Sequence, residues 1–198
     1  MEGCFGEGRS LVAEAKALFD ELGLPIRSAL TSFFSAPLEL WAGDPVAAEH
    51  VLREALGLLE SKGEKGFFST LVGSLAEALY RQGRLEEAEE ATRAGEQTAS
   101  TDDFASQVGW RGVRAKVLAV RGELDRAERL AREGVAIAEP GDYIDLRGDM
   151  WMDLAEVLTV RGSTDARDAL EQALALYERK GNLVSAARAR GRLAELGV

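Results

Sequence analysis

The side chains able to do chemistry in this sequence are few and scattered. His50 is the single histidine and Cys4 the single cysteine of 198 residues. One histidine excludes an HExxH metal site, and one cysteine excludes an internal disulfide and a multi-cysteine zinc site. Cys4 has no apolar run before it, so no lipobox is expected there. The segment GCFGEGRS, Gly3 to Ser10, is one residue from a phosphate-binding loop, with Arg9 where that loop needs Lys. Such a loop follows a hydrophobic strand, and only Met1-Glu2 precede it. Asp102-Asp103 lack the further acidic positions of a metal-binding aspartate motif and read as a helix cap. Asp149 and Asp153 stand one helical turn apart on one helix, whereas an acid–base pair needs opposed partners across a cleft. The run Glu86, Glu87, Glu89, Glu90 reads as a solvated helix face. No enzyme, metal or cofactor is predicted.

The elements that position these groups are helices. The chain holds 31 Ala and 27 Leu against 3 Ile, which favours helix over sheet. Its formal net charge is −10 and its pI about 4.8. So acidic a chain is a poor partner for nucleic acid or an anionic membrane unless its cations cluster. No run of 18 apolar residues exists, and the N-terminus has no signal-peptide pattern. The expectation is a cytoplasmic protein with no direct nucleic-acid or membrane contact.

Glycine sets the helix lengths. Gly23, Gly43, Gly63, Gly83, Gly122, Gly141, Gly162 and Gly181 fall about 20 residues apart, and the skipped mark holds Thr101-Asp102-Asp103. Glycine ends a helix because it adopts the left-handed conformation without a Cβ clash. Starts agree: Asp44-Pro45 reads as N-cap plus first-turn proline, and Asp142 and Asn182 are further cap candidates. The reading is ten helices over 9–22, 26–42, 45–62, 66–82, 85–99, 103–121, 124–138, 143–161, 164–180 and 182–196. Pro37 should kink or split the second.

Alternate glycines carry a longer repeat. Around Gly83 the chain reads LAEALYRQGRLEEAEEA, around Gly122 RAKVLAVRGELDRAERL, and around Gly162 LAEVLTVRGSTDARDAL. Ala36, Ala76, Ala115 and Ala155 each stand seven residues before a glycine. Ala48, Ala88 and Ala127 stand five after one, and Ala166 four after. Small residues at fixed points on both helices let the axes approach closely. The spacing is 40, 39 and 40 residues, a period that means stacked helix pairs.

These residues resemble the tetratricopeptide repeat (TPR). Leu75-Ala76-x-x-Leu79-x-x-x-Gly83-x-x-x-x-Ala88 follows its pattern, as does Leu154-Ala155-x-x-Leu158-x-x-x-Gly162, although the unit exceeds that family's 34 residues. The stretches GEKGFFSTLVGSLAEALYRQGRLEEAEEATR, ASQVGWRGVRAKVLAVRGELDRAERLAREGVAIAE and ALEQALALYERKGNLVSAARARGRLAEL resemble the C-terminal repeat region of bacterial adenylate-cyclase-like and LuxR-type signalling ATPases. The fold class implied is an all-α, right-handed α-solenoid. The domain reading is one repeat domain over 1–198: a flexible start at 1–8, an orphan second helix at 9–22, repeats at 26–62, 66–99, 103–138 and 143–180, and a capping helix at 182–196. Gly8, with Ala13 five residues on, reads as the turn before that orphan helix, so the chain is expected to be a piece of a longer array.

One helix breaks the pattern. The slots held by Leu75 and Leu154 are held by Arg114 in the unit between them, and those of Val72 and Trp151 by Arg111. A rotated helix would pack through Trp110, Val113 and Val117 instead. Arg111 and Arg114 would then form an ion-pair ladder with Glu77, Asp149, Asp153 and Glu156, or with Lys116 an anion clamp. The resemblance places first helices on the concave face. It would present Glu77, Tyr80 and Arg81, then Gly109, Gly112 and Lys116, then Asp149, Met152 and Glu156. Gly73, Gly109 and Gly112 would suit close approach of a backbone or a ligand. The function implied is a non-catalytic interaction or regulatory scaffold, part of a larger bacterial signalling ATPase, cyclase or regulator. Its partner would be a protein, a peptide or other domains of the same polypeptide. The alternative is a small-molecule or anion sensor binding in the groove.

Overall fold

The computed structural model describes residues 4–197, and among these it is all-helical. Eleven helices follow in order: α1 Phe5–Glu21, α2 Pro25–Leu30, α3 Ser32–Ala42, α4 Pro45–Ser61, α5 Gly66–Arg81, α6 Leu85–Thr98, α7 Phe104–Val120, α8 Leu124–Ala138, α9 Ile144–Arg161, α10 Asp165–Lys180 and α11 Leu183–Glu195. They gather into two compact units, one holding α1–α6 and the other, from Thr101 on, α7–α11. Within each unit, consecutive helices pack as antiparallel pairs: α3 on α4 and α5 on α6, then α7 on α8 and α9 on α10. First helices of neighbouring pairs also touch, α3 with α5 and α7 with α9.

The repeated alanines explain this packing. Ala36, Ala76, Ala115 and Ala155 on the first helices are fully buried, as are Ala48, Ala88, Ala127 and Ala166 on the second. A larger side chain at any of them would hold the pair apart. In the second unit, Ala115, Ala127, Ala155 and Ala166 share one cluster with Leu118, Leu154, Leu158 and Leu170. Of the ruler glycines all but Gly141 have positive φ, from 67° to 84°. Asp44, Asp103 and Asn182 cap α4, α7 and α11 by accepting from the amides of Ala47, Ser106 and Ser185.

Five local expectations are corrected. Residues 1–3 of the expected flexible start lie outside the described residues, but Phe5–Gly8 are helical. Gly8 is therefore no turn: a Cβ there would sit 2.5 Å from Leu38 Cδ1, so its missing side chain lets α1 lie against α3. The segment 26–42 is broken at Thr31, not at Pro37. The Thr31 amide and hydroxyl both donate to the Ser28 carbonyl, at 3.2 and 2.7 Å, which tightens the chain into a turn. Pro37 stays inside α3, where it cannot donate an N–H to the Phe33 carbonyl. Gly141 is not left-handed, because α8 ends at Ala138 with Pro140 close behind. Asp142 caps nothing: Tyr143 is the N-cap residue of α9 and makes no side-chain cap bond.

Candidate functional site

The polar groups singled out in α7 and α9 meet in a seam inside the second unit. Gly112 and Lys116 are one turn apart on α7, and Asp149 and Asp153 one turn apart on α9. Lys116 is 3% exposed, and its Nζ lies 2.7 Å from Asp153 Oδ1. The Asp153 carboxylate occupies the space where a Gly112 side chain would be, with Met150 Cε 2.9 Å from that point. Glycine on α7 thus lets an acid on α9 reach a buried lysine. Of the two readings open for Gly112, the occupant is a neighbouring helix.

The same device recurs one helix further on. Tyr177 of α10 is buried, and its hydroxyl donates to Asp149 Oδ1 at 2.6 Å. Gly148 makes room for the ring, since a Cβ there would lie 2.6 Å from Tyr177 Cε1. Burial, reinforced by the negative charge and hydrogen bond of Asp149, pushes the Tyr177 phenol far above its ordinary value. Asp149 thus accepts from Tyr177, and Asp153 lies against Lys116.

Arg111 and Arg114 occupy their apolar slots by stacking. Their guanidinium carbons lie 4.1 and 4.5 Å from the centroid of the Trp110 ring. Arg111 also donates to the carbonyl of Gln107 at 2.8 Å and lies 3.8 Å from Glu133. Trp110, Val113 and Val117 are buried, which is the rotated packing that the sequence suggests for this helix. Met152 packs at the edge of the core beside Trp151, and Glu156 is half-buried.

In the first unit, Arg81 Nε donates to Glu77 at 2.6 Å, and its NH1 donates to the Leu40 carbonyl at 2.9 Å. Tyr80 beside them is half-buried. Sequence reasoning missed a network centred on Glu49, which accepts from Arg53, Gln82 and Arg84 at 2.7, 2.8 and 2.6 Å. Gln82 and Arg84 are more than thirty residues away in sequence, and no local pattern marks the contact. His50 and Cys4 are exposed. Arg9 of the loop-like GCFGEGRS segment forms a two-pronged pair with Glu39, at 2.8 and 2.5 Å, and its Gly3 lies outside the described residues. No three His, Cys, Asp or Glu side chains among the described residues form a metal-holding group. No helix among them is long and apolar enough to cross a membrane.

The architecture has solved counterparts. BtubC (BKLC) from P. vanneervenii superposes with a TM-score of 0.62 at 16% identity, over 98% of this chain and 91% of that one. A Podosopora anserina structure of kinesin light chain-like, nearly identical TPR-like repeats superposes at 0.56 and 18% identity, over 91% and 90%. The chain has a TPR-like, all-α repeat fold. No protein-family model and no curated protein match its sequence.

Proposed function

We propose that this chain is a non-catalytic interaction module that docks a peptide or a partner domain along its first helices. The observation that carries this reading is a TPR-like fold over almost the whole chain, whose polar site residues hold one another in structural pairs. Folds of this kind are generally scaffolds. In the first unit, the proposed surface combines Trp41 on α3 with Glu77, Tyr80 and Arg81 on α5. Trp41 is 41% exposed and stands forty residues before Arg81, at the equivalent repeat position. Arg81 reaches the carbonyl of Leu40, the residue before Trp41, and tryptophan, tyrosine and arginine are the residue types of a binding hot spot.

The test is peptide display on the full chain, followed by titration of one selected peptide into 15N-labelled protein. Amide shifts on α3 and α5, with at least tenfold weaker binding in Trp41→Ala and unchanged helical circular dichroism, support the reading. A selected peptide whose affinity ignores both Trp41→Ala and Tyr80→Ala refutes it. The finer assignment, to a bacterial signalling ATPase, cyclase or regulator, rests on the sequence resemblance. It requires that the chain alter the nucleotide turnover of a nucleotide-binding domain from the same polypeptide.

The sensor reading has one observation on its side, the two guanidiniums gathered over Trp110. It requires a phosphate- or acetate-dependent rise in melting temperature that Arg114→Ala removes. Lys116 adds little to such a clamp, because it is buried against Asp153.

A further inference from the structure

The first unit contains a cavity of about 410 Å³ bounded by α1–α4. Small side chains form part of its wall. Ala13, Ala29 and Ala55 line it, and α1 contributes no fully buried residue to fill the space beneath it. The rest of the apolar wall is Val12, Leu38, Val51 and Leu58. The volume falls within the range of small-molecule pockets, and an apolar wall with a few placed polar groups is their usual lining.

Four hydroxyls stand on the wall supplied by α2, α3 and the turn between them. Thr31 donates to the Ser28 carbonyl at 2.7 Å, Ser35 lies 3.4 Å from the Thr31 carbonyl, and the Ser28 hydroxyl stands near the Asp20 carboxylate, which it helps hold below the usual carboxylate range. The fourth, Ser32, is 3% exposed, and its Oγ makes no hydrogen bond. Buried polar groups in folded proteins nearly always have a partner. A serine reorients about one side-chain torsion, so its hydroxyl can serve an occupant of the cavity. The charges on the lining are already matched: Arg9 pairs with Glu39, and Lys16 lies 3.2 Å from Glu54 and 3.5 Å from Asp20. Three acids against two bases give the lining no surplus cation for an anionic ligand.

We infer that this cavity is a binding site for a small, uncharged, largely apolar molecule bearing one hydroxyl or carbonyl oxygen, which hydrogen-bonds to Ser32. The site is separate from the peptide surface proposed above, and its occupant is a small molecule.

The probe is 2-naphthol, titrated into the 15N-labelled full chain, with naphthalene and 2-naphthoate as comparison compounds. Saturable amide shifts confined to α1–α4 are expected with 2-naphthol and naphthalene, with 2-naphthoate binding more weakly than 2-naphthol. Ser32→Ala weakens 2-naphthol by about 3- to 10-fold, the loss of one hydrogen bond, and leaves naphthalene within about twofold. Ala13→Phe, at an exposed position on the cavity rim, abolishes binding of both while helical circular dichroism and peptide binding at Trp41 persist. The inference is overturned if neither neutral compound gives saturable shifts, or if 2-naphthoate binds more tightly than 2-naphthol. It is equally overturned if Ser32→Ala weakens both neutral compounds alike or leaves both unchanged.

Discussion

Gly148→Ala should destabilise the second unit, although alanine is the better helix former by about 0.8–1.0 kcal/mol at a helix interior. The reason is the Tyr177 ring. A Cβ on Gly148 would lie 2.6, 2.9 and 3.0 Å from Tyr177 Cε1, Cζ and Cδ1. Ordinary carbon contacts are about 3.5–4.0 Å, so the ring must retreat by roughly 1 Å. It has little freedom to do so. Tyr177 is 2% exposed, packs with Ala173, Ala186 and Ala189, and is tethered through its hydroxyl to Asp149. Overpacking of this kind costs about 1–3 kcal/mol, and a strained tyrosine–carboxylate bond adds about 1 kcal/mol. After the propensity gain, the net loss is about 1–3 kcal/mol. Gly191, on α11 of the same unit, is the control, because a Cβ there meets nothing within 4 Å. Gly191→Ala should stabilise by up to about 1 kcal/mol. Urea unfolding followed by circular dichroism at constant m-value measures both, and each kcal/mol corresponds to roughly 2–4 °C in melting temperature. A Gly148→Ala protein at least as stable as the parent would refute the close approach of α9 and α10 at this point.

Lys116→Met should cost up to about 3–5 kcal/mol by removing the buried cation bonded to Asp153, while Lys116→Met with Asp153→Leu recovers part of that in urea unfolding. Tyr177 should not ionise while the chain is folded. Its raised phenol stabilises the fold below pH about 10, the ordinary tyrosine value, and that contribution is lost as pH climbs towards the folded value. In an absorbance titration at about 295 nm, the difference between the parent and Tyr177→Phe should therefore grow only in step with loss of helix. For Glu49, burial raises the carboxyl, but the hydrogen bonds from Gln82 and Arg53 and the charge of Arg84 outweigh it and hold it below the usual carboxylate range. Its stabilisation is present above pH about 4.3 and fades as the solution is acidified through the depressed value. Glu49→Gln should flatten the acid limb of stability against pH. Asp44→Ala, which removes the α4 cap, should cost about 1 kcal/mol by chemical denaturation.

Sequence spacing revealed most of the helices because their stops are local events. A positive-φ glycine such as Gly83 or Gly162 ends its helix through its own backbone freedom, whatever packs nearby. Fixed alanines likewise foretold which faces are buried, since a pair of helices can approach closely only where both are small. Local signals failed where a distant neighbour decided the outcome. Gly8 carries the same spacing as a turn glycine, yet contact with Leu38 makes it a packing residue within α1. Pro37 looked like the natural break, but bonds to the Ser28 carbonyl put the break at Thr31.

Candidate site residues divide along the same line. Periodicity showed that Arg111 and Arg114 stand out of pattern and offered Trp110, Val113 and Val117 as their replacements in the core, which burial of the three decides. It left their partners open, because a guanidinium reaches ions and rings alike. The stacking on Trp110, the burial of Lys116 against Asp153 and the bond from Tyr177 to Asp149 join different side chains through space. So does the cavity beneath α1, whose lining brings Ala13, Ala29 and Ala55 together from three helices.

Residue order by itself determined the helical class, the forty-residue period and the thin stock of reactive groups. Those properties depend on backbone preference and composition, which each segment carries within itself. Tertiary structure alone decided which charges are neutralised and where space is left unfilled. Both depend on distances of a few ångströms between residues dozens of positions apart, and only the folded chain sets those distances.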